Sequence, residues 1–254
     1  MIKNIHYNLI YYTMLDTEEN IADSIEKFNL DDIPSSSYSI LLGKRRSGKS
    51  YLCEDLIQKM VKEKMLDAVF LFSGTDAGFE FIEPDFRFIG DDMTPLNQLV
   101  DNMAYLNEFN KVAPKKDKIK IRVAVILDDH AVNLKSKGFN ILETLAVNGR
   151  HCAYEPMALH IFTLCQSLTK IPRVVRLNSD LIIFNSIASL REKECIFDEN
   201  LYLIESSLEG KRRARKLYDD VMVKEPFIFM VVLNCKQNVV KYNDYIRTYV
   251  ADAK

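Results

Sequence analysis

Eight consecutive residues, Gly43-Lys44-Arg45-Arg46-Ser47-Gly48-Lys49-Ser50, match the pattern GxxxxGK(S/T) in full. Glycines at these positions let the main chain wrap close to phosphate oxygens, so that backbone N–H groups and the positive end of a following helix meet a polyanion. Lys49 would then reach the β- and γ-phosphates, and the Ser50 hydroxyl would ligate Mg²⁺. The flanks suit that chemistry: an apolar strand pattern at residues 39–42 leads in, and a helical pattern at residues 49–64 follows. A chance match in an ordinary strand-to-helix turn would not need both. ATP with Mg²⁺ is the expected ligand.

A site of this kind needs a second magnesium anchor, and the apolar run at residues 123–127 ends in Asp128-Asp129. Carboxylates at the carboxyl end of a strand share the sheet edge where ligands bind in open α/β sheets. Asp128 is expected in the magnesium shell and Asp129 as acceptor of the proton from an attacking water. The bland alternative is a pair of aspartates capping the next helix. The following apolar run, residues 159–164, ends in Cys165-Gln166-Ser167. In NTPases with a catalytic carboxylate after the magnesium aspartate, this strand lies between the other two. Gln166 would then sense phosphate or orient water.

These residues must be carried by a regular frame. Strand patterns at residues 38–42, 68–72, 86–89, 123–127, 159–164 and 181–184 alternate with helical patterns at 49–64, 95–112 and 139–148. Such alternation predicts an α/β fold with a mostly parallel sheet covered by helices on both faces. A short helix is expected at residues 21–28. The apolar run 227–233 lies beyond the series as an added edge strand or hairpin. The division is an N-terminal extension at 1–37, a core at 38–186 and a C-terminal addition at 187–254.

Composition narrows the class. Charged residues make up 28% and hydrophobic residues 48% of 254, the balance of a globular chain rather than a disordered one. A net charge of −2 excludes holding nucleic acid by bulk charge, though not by local clusters. One such cluster is Lys211-Arg212-Arg213-x-Arg215-Lys216, able to neutralise phosphates without reading bases, or else a solvated helix face or linker. The run at 115–120 reads as a solvated loop. Five scattered cysteines without a CxxC fit reduced thiols rather than a zinc site. No apolar run is long enough to span a membrane, and the N-terminus does not read as an export signal.

Taken together, the phosphate loop, the strand ending in Asp128-Asp129, Gly149-Arg150-His151, Gln166 and Arg176-x-Asn178 resemble the poxvirus-type genome-packaging ATPases of the FtsK–HerA superfamily. The resemblance spans about residues 38–186. The loop interior Lys44-Arg45-Arg46 is bulkier and more basic than is usual there. What it implies is a P-loop NTPase with a RecA-like sheet, acting as a homo-oligomeric ring, hexameric or pentameric. Such a ring hydrolyses ATP to drive double-stranded DNA into a capsid, and so has capsid proteins as partners. The implied setting is a virion or the host cytoplasm, in a viral factory. Rings of this kind complete the site with an arginine from the neighbouring subunit. Arg150, Arg173 and Arg176 are candidates, and the resemblance favours Arg150 and Arg176. His151 reads as a packed or capping residue. Two other classes stay open: a nucleoside or nucleotide kinase, and a nucleotide-gated assembly protein that barely turns ATP over.

Overall fold

Strand β1 (Ser37–Leu42) is buried along its whole length, which is why its sequence lacks the alternation of a half-exposed strand. The computed structural model describes residues 21–128, 139–204 and 207–252, except the side chains of residues 139–141, 150 and 151. Helix α1 (Ile21–Ser24) precedes β1 and α2 (Lys49–Lys62) follows it. Next come β2 (Ala68–Ser73), β3 (Arg87–Ile89), α3 (Thr94–Val112), β4 (Arg122–Asp128) and α4 (Phe139–Cys152). The series continues with β5 (Ala158–Cys165), α5 (Arg173–Asn178) and β6 (Leu181–Phe184). It closes with α6 (Leu190–Ile196), α7 (Leu208–Met222), β7 (Phe229–Leu233) and β8 (Ile246–Tyr249).

The eight strands form one sheet in the order β3-β2-β4-β5-β1-β6-β7-β8. The six from β3 to β6 run parallel, while β7 is antiparallel to both β6 and β8. With this strand order, the right-handed rule for parallel crossovers assigns α2 to one face and α3, α4 and α5 to the other, and α4 packs against both α3 and α5. Helix α2 presents Leu52, Cys53, Leu56, Ile57 and Met60 as one buried stripe. Its outward residues are mostly polar, Val61 being the exposed apolar one. Each fully buried aliphatic side chain of this core contributes roughly 2 kcal/mol of apolar transfer. The α/β class expected from the alternation is the class observed.

The ends of the chain depart from expectation. Helix α1 stops at Ser24 rather than at residue 28, because Phe28 N–H donates to the Thr248 carbonyl at 2.8 Å and Lys27 forms a bridge to Thr248. Beyond β6, the run at 227–233 forms a strand only from Phe229. That strand is not at the edge, since the next strand, β8, pairs antiparallel with it, as the hairpin alternative had it. The sheet thus takes in two strands from beyond residue 187. Residues 115–117 form a single 3-10 turn. No helix among the described residues is long and apolar enough to cross a membrane.

Candidate functional site

The loop after β1 is held from below. Gly43 N–H donates to the Cys165 carbonyl at 3.1 Å, Ser47 N–H to Lys44 at 3.2 Å, and the Asn185 amide to the Ser47 carbonyl at 2.8 Å. A Cβ on Gly43 would collide with Ser47 Oγ and lie 3.0 Å from Asn185 Oδ1, so only glycine fits. Gly48, at φ +88°, turns the chain into α2 through the left-handed region that favours glycine. Helix α2 then starts with no side-chain cap and no acidic residue in its first turn. Its first N–H groups are left for an anion. Lys49 is only 8% exposed, and among the described residues it has no ion-pair partner. A cation so placed calls for an anionic ligand.

Asp128 ends β4, two strands from β1, with β5 between them. The pairing runs Asp128 to Leu164 and Cys165 to Leu42, so all three strand ends reach the same edge. Asp128 also faces α2: burial first, and then the nearby Asp128 carboxylate, push the Cys53 thiol well above its usual range. Cys53 lies one turn beyond Ser50. Ser50 and Asp128 are hard oxygen donors, the type magnesium takes. Asp129 lies outside the described residues. So do the side chains of Arg150 and His151, although α4 carries both.

Gln166 is exposed at the tip of β5 and lines a cavity of about 170 Å³ with Gly43, Lys44, Ser186 and Glu192. The turn behind it is fastened by α6. Glu192 accepts from Ser167 Oγ and Thr169 Oγ1, each at 2.6 Å, and from the N–H groups of Leu168 at 2.7 Å and Thr169 at 3.2 Å. Burial alone would raise the Glu192 carboxyl, but these donors bring it below its usual range. Sequence reasoning missed Glu192 and Asn185. The signal for Asn185 was present: it directly follows the apolar run of β6, which pairs with β1.

The arginines and the basic segment are less open than the loop. Arg176 grips Glu199 through Nε and Nη2, both at 2.7 Å, and its Nη1 donates to the Ile171 carbonyl at 2.6 Å. The two side chains are 11% and 13% exposed. That arginine is turned into its own chain. Arg173 is exposed, 3.7 Å from the same Glu199. The segment with Lys211, Arg212, Arg213, Arg215 and Lys216 lies on α7, a helix anchored by Ala214, Leu217, Tyr218 and Val221, and not in a linker. Arg215 binds Glu194 on α6 at 2.7 Å and the Tyr202 hydroxyl at 2.9 Å. Lys211 sits over the Tyr202 ring, 4.0 Å from Asp198.

No protein-family model and no curated protein sequence matches the chain. Solved structures do. The genome packaging NTPase B204 from Sulfolobus turreted icosahedral virus 2, in complex with ATP-gammaS, is 13% identical with a TM-score of 0.54, covering 86% of this chain and 98% of that one. The pCW3 conjugation coupling protein TcpA, with ATPgS, is 15% identical at a TM-score of 0.54 over 85% of this chain and 60% of that one. The cytoplasmic domain of the Thermomonospora curvata Type VII secretion ATPase EccC is 14% identical at 0.51, over 89% of this chain and 28% of that one. At such identities the likeness establishes the fold. The chain is folded as an α/β P-loop NTPase with a RecA-like sheet, and a genome-packaging NTPase is among its structural neighbours, as the resemblance implied.

Proposed function

We propose that this chain is an ATP-hydrolysing motor of the FtsK–HerA type that drives double-stranded viral DNA into a capsid. The observation that carries the reading is the strand order β4-β5-β1, which gathers Asp128, Gln166 and the phosphate loop on one edge. The likeness to a packaging NTPase solved with ATP-gammaS supports it. Residues 43–50 cradle the phosphates with backbone N–H groups, and Lys49 draws the β- and γ-phosphates to the uncapped end of α2. Ser50 and Asp128 would hold magnesium, which when bound neutralises charge on the phosphates. Asp129 takes a proton from the attacking water, and Gln166, steadied by the turn that Glu192 holds, orients that water.

The subunits form a closed homo-oligomeric ring, hexameric or pentameric, with an arginine acting across each boundary. Arg150 is the better candidate, because Arg176 is engaged by Glu199 within its own subunit. Helix α7, repeated around the ring, offers Lys211, Arg212, Arg213, Arg215 and Lys216 to DNA phosphates without reading sequence. Capsid proteins are the remaining partners, in a virion or the host cytoplasm. The test is the fate of the γ-phosphate of ATP in the presence of duplex DNA or of a small nucleoside acceptor. Release as inorganic phosphate, faster with DNA, is expected. Transfer to the acceptor would instead identify a kinase, and binding without turnover an assembly protein.

A further inference from the structure

Resting on the nucleotide reading above, we infer that the turn between α7 and β7 forms the nucleobase subsite, with Phe227 as its stacking platform. The γ-phosphate end of the ligand lies toward β5 and β4, where Asp128 and Gln166 stand, so the nucleoside must leave the loop on the opposite side, toward β6 and β7. Because β7 is antiparallel, its first residues reach the same sheet edge as the loop. There a cavity of about 200 Å³ lies between Lys44, Arg46 and Ser47 of the loop, Met222 at the end of α7, and Pro226 and Phe227 of the turn.

The wall of the cavity that the turn supplies suits a base, while Lys44 and Arg46 on the facing wall belong to the phosphate loop. Phe227 is 64% exposed, yet it is held at φ +58°, a conformation uncommon for an aromatic residue. Its ring leans on the loop: Cδ1 lies 3.4 Å from where a Cβ on Gly48 would stand. An exposed phenyl beside a phosphate loop offers a π-face that any base can stack on. The Glu225 carboxylate on the same wall repels phosphate but accepts from an exocyclic amine. Ser47 and Asn185, more than nine-tenths buried, also line the cavity.

The test is equilibrium binding of ATP, CTP and inorganic tripolyphosphate to the full chain, to Phe227→Ala and to Phe227→Trp, with Lys49→Ala as reference. Loss of the ring should weaken ATP about tenfold, within the range measured for removal of a base-stacking aromatic, and narrow the preference for ATP over CTP. Tripolyphosphate, which has no base, should bind Phe227→Ala as it binds the parent, and Phe227→Trp should restore ATP affinity. Unchanged ATP affinity in Phe227→Ala would overturn the subsite, as would an equal loss of tripolyphosphate. Failure of the nucleotide reading looks different: Lys49→Ala would then bind ATP and tripolyphosphate as well as the parent does.

Discussion

In the phosphate loop, Lys44, Arg45, Arg46 and Lys49 have no ion-pair partner among the described residues, whereas on α7 Lys211, Arg212 and Arg215 face carboxylates. Arg215 lies 2.7 Å from Glu194, Arg212 3.8 Å from Glu209 and Lys211 4.0 Å from Asp198. A ligand phosphate entering the loop meets charge that nothing else neutralises, at the uncapped end of a helix. On α7 a phosphate must compete with carboxylates already present, in a solvated setting where each pair is worth little. The two clusters look alike as letters. Their surroundings suit the loop to tight anion binding and α7 to weak, salt-sensitive binding, which the proposed ring would strengthen by repetition.

The largest effect expected is at the loop. Lys49→Ala should lower ATP turnover by about a hundredfold or more, the scale of losing one well-placed electrostatic group, while the melting temperature holds. Full turnover in that variant would break the comparison at its stronger end.

A second expectation concerns the sheet edge opposite the loop. His160 on β5 bonds Ser37 through Nδ1 at 3.0 Å, and burial pushes it down from 6.5 to about 4. The unfolded chain therefore binds a proton between pH 6.5 and 4 that the folded chain refuses. Stability from neutral His160 is present above pH 6.5 and is lost as pH falls toward 4, by about 3 kcal/mol in all. Chemical denaturation across this range should show the decline in the parent and a shallower one in His160→Asn. Parallel curves would remove His160 from the account.

Arg176 separates support from catalysis. Arg176→Ala takes from the mostly buried Glu199 its two-pronged partner, leaves it the exposed Arg173 at 3.7 Å as its cation, and should cost about 2 kcal/mol of stability, allowing for partial solvent access. ATP affinity, measured below the melting transition, should survive. An unchanged melting temperature with lost hydrolysis would return Arg176 to the active site.

The smallest effect belongs to α7. Replacing Arg212, Arg213 and Arg215 by glutamine should flatten the salt dependence of DNA affinity by a log–log slope of about 0.9 for each phosphate contact removed. Basal turnover should persist. If slope and DNA stimulation both stay at parent values, α7 is only a solvated face, and the DNA path lies elsewhere, with the lysines of 115–120 next in line. Three of these, Lys115, Lys118 and Lys120, border a cavity of about 750 Å³ near the amino ends of β4 and β5.

The loop was legible because its chemistry is contiguous: eight adjacent residues carry both the pattern and its flanks. The place of β5 between β4 and β1 was expected only from what NTPases with a carboxylate after the magnesium aspartate share, and the strand order bears it out. What pairs across distance was not legible. Nothing near Arg176 announces Glu199, which sits on a π-turn continuing α6. Helix α7 carried a usable signal in Ala214, Leu217, Tyr218 and Val221 at helical spacing, obscured by the basic residues between them. Strand β8, with the polar pair Arg247-Thr248 inside four residues, has no apolar run to see. Phe227 belongs to the apolar run of the following strand, but its positive φ and the turn bond from Ile228 to Glu225 set it before β7.

The central claim is that one sheet edge hydrolyses ATP for a motor working on DNA. Steady-state ATP turnover by the full chain, with magnesium, measured with and without long duplex DNA, tests it most directly. The account predicts basal hydrolysis that rises on adding DNA of any sequence and falls back as salt releases the duplex. ATP turnover that is absent, or that ignores DNA at every salt concentration, would contradict it.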